Sequence, residues 1–191
     1  MKHEEDQGDA FGRWPNKTAR LMYHDVMPVA LNGIDTTGSV ADLGGANGLI
    51  KEWIPQAVTV DYDSSKEPDV HEDILTYAGD HDLLVLRYVL HYMPDDVVRK
   101  LFYHIRQYHK GRILVIQFVN DDLERKEANS LGETKWFRNT TDTMKLLTEY
   151  WRVASAKAVD YVVDADFYRE RLKHPNPTSH HETILIMELS R

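Results

Sequence analysis

The chain contains no cysteine in 191 residues, which rules out disulfides and any metal site built on thiolates. It has no apolar run near the ~20 residues that a membrane helix needs. Its N-terminus, MKHEEDQGDA, is acidic and has no apolar signal region, so a cytoplasmic home is expected rather than secretion. Positive charge is in short supply. Lys and Arg number 23 against 31 Asp and Glu, a formal net charge of −8. A general nucleic-acid binder needs a cationic face against the phosphates, so no nucleic-acid partner is expected beyond a local basic patch. No internal repeat or low-complexity tract appears. What remains is the composition of a soluble globular protein, 42% hydrophobic and 28% charged, long enough for one domain with a core.

From Val40 onward, apolar runs alternate with helical patterns. Strands are expected over Ser39–Leu43, Ala57–Val60 and Asp82–Leu86, over Ile113–Val119, and within Pro68–Glu72. DLLVL and ILVIQFV are continuous apolar runs, as in strands covered on both faces. Helices are expected over Ala46–Trp53, Pro94–Tyr108, and from a cap at Thr140 or Thr141 to about Trp151. Upstream, TARLMYHDVMPVAL predicts one kinked helix or two short ones, broken at Pro28. Val153–Val163 and Thr183–Leu189 have no helix between them, which implies an antiparallel hairpin on one edge. The fold class that follows is α/β, a three-layer sandwich of a mostly parallel sheet with helices on both faces and an antiparallel C-terminal hairpin. Residues 1–35 would form a helical cap, 36–120 a cofactor-binding half, and 121–191 a substrate-side half with a long hairpin connection over 164–182.

The stretch SVADLGGANGLIKEWIPQAVTVDYD carries the chemistry. An apolar strand ends in Asp42 and Leu43. Gly44 and Gly45 then leave room for a ligand against the backbone, and Gly48 permits close packing where a helix starts. Ligands of such sheets bind beyond the carboxyl ends of the strands, where this turn lies. Asp61 ends the following strand, roughly 20 residues on, the spacing at which a carboxylate can hold ribose hydroxyls. The dinucleotide pattern G-x-G-x-x-G fails, because from Gly44 its later glycines would fall on Ala46 and Leu49. A tight turn that binds nothing is the plainer alternative.

VADLGGANG resembles the first motif of the class I S-adenosylmethionine-dependent methyltransferases, an acidic residue followed by alternating glycines. Asp42 takes the acidic place, Gly44 and Gly48 match the outer glycines, and Ala46 stands where the middle glycine is usual. The resemblance implies a seven-stranded sheet whose last strand is antiparallel, and S-adenosylmethionine as methyl donor. It assigns Asp61, with Tyr62 beside it, to the ribose end, and Asp73-Ile74 to the border of the adenine. LLVLRYVLHYM resembles the fourth-strand motif leading to the methionine part of the cofactor, which makes Arg87 and Tyr88 further cofactor candidates. Arg87 would meet either the cofactor carboxylate or a surface acid. Only a turn fits between Asp61 and Asp73 where the family usually has a crossover helix.

Methyl transfer from a sulfonium to a nucleophile is mainly a matter of alignment. His91 is the candidate base, if one is needed, with packing in a helical turn as its alternative. That candidate base is the reason to expect transfer to oxygen rather than nitrogen. The expected acceptor is a small molecule. Tyr92, Trp14, Tyr23, Trp136, Arg138 and His181 are candidates to contact it. His174, His180 and His181 match no ordinary zinc spacing, and Asn120-Asp121-Asp122 reads as a polar loop, so no metal is expected. An RNA- or protein-directed methyltransferase of the same fold, and a cofactor-binding protein without catalysis, are the rival readings.

Overall fold

The computed structural model describes residues 26–46, 48–121, 127–130, 133–163 and 180–191. Its centre is a seven-stranded sheet, with strands β1 (Val40–Leu43), β2 (Val58–Asp61), β3 (Val70–His71), β4 (Leu83–Arg87), β5 (Arg112–Val119), β8 (Arg152–Val163) and β9 (His180–Ser190). The order across the sheet is β3-β2-β1-β4-β5-β9-β8. The first five of these run parallel, and β9 is antiparallel to both β5 and β8. Two short strands, β6 (Glu127–Ser130) and β7 (Glu133–Trp136), form a separate antiparallel ribbon. The helices are α1 (Val26–Leu31), α2 (Asp95–Tyr108) and α3 (Thr140–Thr148). Among the described residues no helix is long and apolar enough to cross a membrane.

The side-chain alternation of a strand divides the core in two. Ala41, Leu43, Leu84, Leu86, Ile113 and Val115 face one side, where α2 and α3 supply Phe102, Leu101, Leu146 and Leu147. Val40, Leu83, Val85, Leu114 and Ile116 face the other, against Val26, Met27 and Ala30 of α1 and Ile50 and Ile54. Residues 83–86 and the residues of ILVIQFV are buried on both faces, apart from the half-buried Phe118, which is why these strands carry no polar alternation; Asp82, ahead of β4, is exposed.

Helix boundaries follow local chemistry. α2 starts after Pro94, whose φ of −65° suits a helix entry, and Asp95 and Asp96 occupy its positive first turn. α3 is capped one residue earlier than expected, by Asn139, whose Oδ1 accepts from Asp142 N at 2.7 Å. The helix expected over Ala46–Trp53 is a single 3₁₀ turn, Leu49–Glu52. Gly48 enters it in the left-handed region (φ 76°), so no α-helical turn can form through it, and Pro55 closes the other end. Between β2 and β3 the usual crossover is reduced to the 3₁₀ turn Ser64–Lys66. Pro28 lies near the start of α1; the remainder of the predicted N-terminal helix is outside the described residues.

At the end of the sheet where β4 begins, His81 and His109 are histidines whose burial pushes their pKa values below the ordinary one. His109 is 1% exposed and its Nε2 donates to the Arg112 carbonyl at 3.0 Å. The unfolded chain takes up protons at these positions near pH 6.5, before the folded protein does. Stability is therefore at its full value above roughly pH 7 and falls as the pH drops through 6.5 towards the folded values. Urea unfolding should show a lower midpoint at about pH 5.5 than at about pH 7.5, and His109→Gln should flatten that dependence.

Candidate active site

The turn that leaves β1 is bound to the end of β2. Gly44 N and Gly45 N both donate to the Val60 carbonyl, at 2.8 and 3.3 Å. One residue on, Ala46 N donates to Asp61 Oδ2 at 3.0 Å, while Asp61 Oδ1 accepts from Asp63 N at 2.9 Å. Gly44 has φ 73°, and a Cβ there would lie 2.6 Å from Val89 Cγ2, so both conformation and space require glycine. Ala46 has φ 43°, a left-handed conformation that costs an L-residue with a Cβ about 1–2 kcal/mol. It is the place where the resemblance expects glycine, and the Asp61 carboxylate holds it there.

Asp42 is fully buried, and its partner is Arg87. The two lie on adjacent parallel strands, with Asp42 in register with Val85, so Arg87 two residues on faces the same side. Nη2 donates to Asp42 Oδ2 at 2.7 Å, and Nε lies 3.3–3.4 Å from both carboxylate oxygens. The side chains are 10% and 1% exposed. Sequence reading offered Arg87 a cofactor carboxylate or a surface acid; the structure gives it a buried one, 45 positions away. Among the other cofactor candidates, Tyr62 is 65% exposed beside Asp61. Asp73 Oδ1 accepts from Leu75 N at 2.9 Å in the turn after β3, and Ile74 is buried in the α2-side core. Tyr88 follows Arg87 in a left-handed conformation (φ 54°) and stacks on Phe118.

His91 sits in the 3₁₀ turn Leu90–Tyr92 and is 3% exposed. Its ring lies 3.9 Å from that of Tyr92 and 4.3 Å from that of Phe118, and it is nearly parallel to Phe137 at 6.5 Å. Two residues that the sequence did not single out as site candidates hold this turn. Gln117, buried on β5, accepts from Leu90 N at 3.1 Å through Oε1. Asp95 at the start of α2 accepts from Arg138 Nε at 2.9 Å. Arg138, expected at the acceptor, is turned inward and 6% exposed. Nη1 donates to the Leu90 and Trp136 carbonyls, at 2.8 and 3.4 Å, and Nη2 to the Met93 carbonyl. It joins the end of β7 to the His91 turn and α2. The one signal for Gln117 was a lone polar residue inside an apolar strand.

Asp121 binds the first residue of α3, accepting from Thr140 N and Oγ1 at 2.7 and 2.8 Å. His181 lies on β9 opposite Val162, with its side chain outside the description. Trp14, Tyr23, Asp122 and His174 lie outside the described residues. Among the described residues no group of three His, Cys, Asp or Glu is placed to hold a metal ion.

Removing Arg87 leaves Asp42 as a buried, unpaired charge, which costs about 3–5 kcal/mol. Arg87→Met should lower stability by that order in urea unfolding, and Asp42→Leu with Arg87→Met should recover much of the loss.

No family model matches the chain, and no curated protein matches it in sequence. Solved structures do share its architecture. The 1,6-didemethyltoxoflavin-N1-methyltransferase of Burkholderia thailandensis, with 1,6-didemethyltoxoflavin and S-adenosylhomocysteine bound, aligns at a TM-score of 0.66 and 15% identity over 94% of this chain and 83% of that one. The glycopeptide N-methyltransferase MtfA, complexed with S-adenosylhomocysteine, aligns at 0.63 and 10% identity over 87% and 89%. Magnesium protoporphyrin IX methyltransferase from Synechocystis PCC 6803, with S-adenosylmethionine bound, aligns at 0.58 and 12% identity over 92% and 81%. At such identities the likeness is one of fold, and the fold of this chain is that of the class I methyltransferases.

Proposed function

We propose that this chain is an S-adenosylmethionine-dependent methyltransferase acting on a small-molecule acceptor. The observation that carries the reading is the left-handed turn after β1 with the Asp61 carboxylate hydrogen-bonded across it to Ala46 N. That pairing puts an acid at the C-terminal edge of the sheet, against a turn where a nucleoside can approach the backbone closely. Asp61 accepts from the backbone amides of Ala46 and Asp63, and a carboxylate is an acceptor-only group of the kind that matches ribose hydroxyl donors. Tyr62 and the Asp73-Ile74 turn stand on the adenine side in this reading, and the Arg87–Asp42 pair and Tyr88 on the methionine side. The bound cofactor would supply an electrophilic methyl on a sulfonium. The chain's own part is to align the acceptor and exclude water from it. The cluster of Tyr92, Phe118 and Phe137 around His91, with Tyr88 stacked on Phe118, supports an apolar acceptor side suited to a small molecule. The net charge of −8 supports the same choice over RNA.

Thermal-shift titration should show stabilisation by S-adenosylhomocysteine and none by NAD. Hydrogen bonds to a charged acceptor contribute about 1.5–3 kcal/mol, so Asp61→Ala should weaken S-adenosylhomocysteine binding by roughly 10- to 100-fold. Equal affinity in wild type and variant overturns the assignment of Asp61.

A further inference from the structure

The amide of Gln117 is held by two backbone groups of opposite kind. Leu90 N–H donates to Oε1 at 3.1 Å, and Nε2 donates to the Phe118 carbonyl at 3.3 Å. Flipping the amide would set donor against donor at Leu90 and acceptor against acceptor at Phe118. The backbone thus decides which end is NH₂, and that end also meets His91 Nδ1, at 3.3 Å. A ring nitrogen facing an N–H donor must offer its lone pair, and the single proton of a neutral imidazole then lies on the other nitrogen.

We propose that Gln117 is a positioning residue that locks His91 as the neutral Nε2–H tautomer, so that the ring's lone pair is taken up at Nδ1 and the imidazole is a donor, not a base, at Nε2. Taking a proton at Nδ1 would set that proton against the Gln117 amide hydrogens. Among the described residues, the charged groups at the turn are Arg138 and Asp95, which pair with each other. The Arg138 guanidinium binds the carbonyls of Leu90 and Met93 on either side of His91, and the Asp95 carboxylate is already engaged by Arg138 Nε. Of the other elements packed on the ring, β5 contributes Gln117 and Phe118, and the segment after β7 contributes Phe137. Tyr92 adds an aromatic face with a phenol. A polar group that meets the Nε2 edge must then be a lone-pair bearer, such as a carbonyl, a phenolate or an unprotonated ring nitrogen. An acceptor that has to lose a proton gives it to some other group, and the ground for expecting oxygen over nitrogen falls away. The consequence for the acceptor rests on the methyltransferase reading; the tautomer does not.

Long-range ¹H–¹⁵N spectra of the full chain labelled in histidine test the tautomer without cofactor or acceptor, with the His91 signals assigned by their loss in His91→Gln. The expected result is an unprotonated Nδ1 and a protonated Nε2 at about pH 8. In Gln117→Glu the carboxylate can still accept from Leu90 N and now also accepts from Nδ1–H. His91 should then show two protonated nitrogens at neutral pH. Gln117→Met, which removes the donor and keeps the length, should give a His91 that exchanges between tautomers. A wild-type His91 with its single proton on Nδ1 overturns the proposal. So does a wild-type spectrum unchanged in both Gln117 variants. If these spectra fail while S-adenosylhomocysteine still binds, only the tautomer is lost. If the spectra hold and the cofactor product does not bind, only the methyltransferase reading is lost.

Discussion

The arrangement at the C-terminal edge of the sheet depends on one backbone constraint, the turn from β1 tied to the end of β2. The Val60 carbonyl takes two amide protons from it and the Asp61 carboxylate a third. With Gly44, Ala46 and Gly48 all left-handed, the chain turns back on itself beside β2 before it can start a helix. Helix formation is thereby delayed to one 3₁₀ turn, and the amides of the turn stay at the sheet edge instead of entering a helical ladder. The same tie gives Asp61 its place. A strand-end acid that is not held would swing into solvent; this one is 8% exposed and points at the turn.

Beneath that edge the two faces of the sheet carry different polar devices. Asp42 and Arg87 face the α1 side, and their ion pair links the ends of the two central strands. Gln117 faces the α2 side and, with Arg138, holds the turn that carries His91. Buried polar groups of this kind are tolerated because they are paired, and the pairing fixes geometry as much as it stabilises. Arg138 works over a distance of 43 to 48 residues to Asp95 and Leu90, so the position of the His91 turn is set jointly by β5, α2 and the segment after β7.

The central strands were legible because their burial leaves a simple mark. Runs such as DLLVL and ILVIQFV have one structural explanation at that length, and their boundaries fall within a residue of expectation. The terminal hairpin was legible from the missing helix between two apolar segments. Where the sequence misled, a local rule met a competing one. The helical composition of LIKEW yielded to the left-handed Gly48, and Thr140 yielded its cap to Asn139 one position earlier. The β6–β7 ribbon escaped notice because EANS and ETKW carry no apolar alternation. At the site, the turn and Asp61 could be read from residue types and spacing. The pairings of Arg87 with Asp42, His91 with Gln117 and Arg138 with Leu90 could not, since these partners lie 26 to 48 residues apart and only the tertiary fold brings them together.

The most direct measurement of the central claim is a crystal structure of the chain with S-adenosylhomocysteine. The account predicts the ribose hydroxyls on the Asp61 carboxylate, with the nucleoside lying over the Gly44–Gly48 turn and the amino-acid end running towards Arg87. A compound bound elsewhere on the molecule, making no contact with the Asp61 carboxylate, would contradict it.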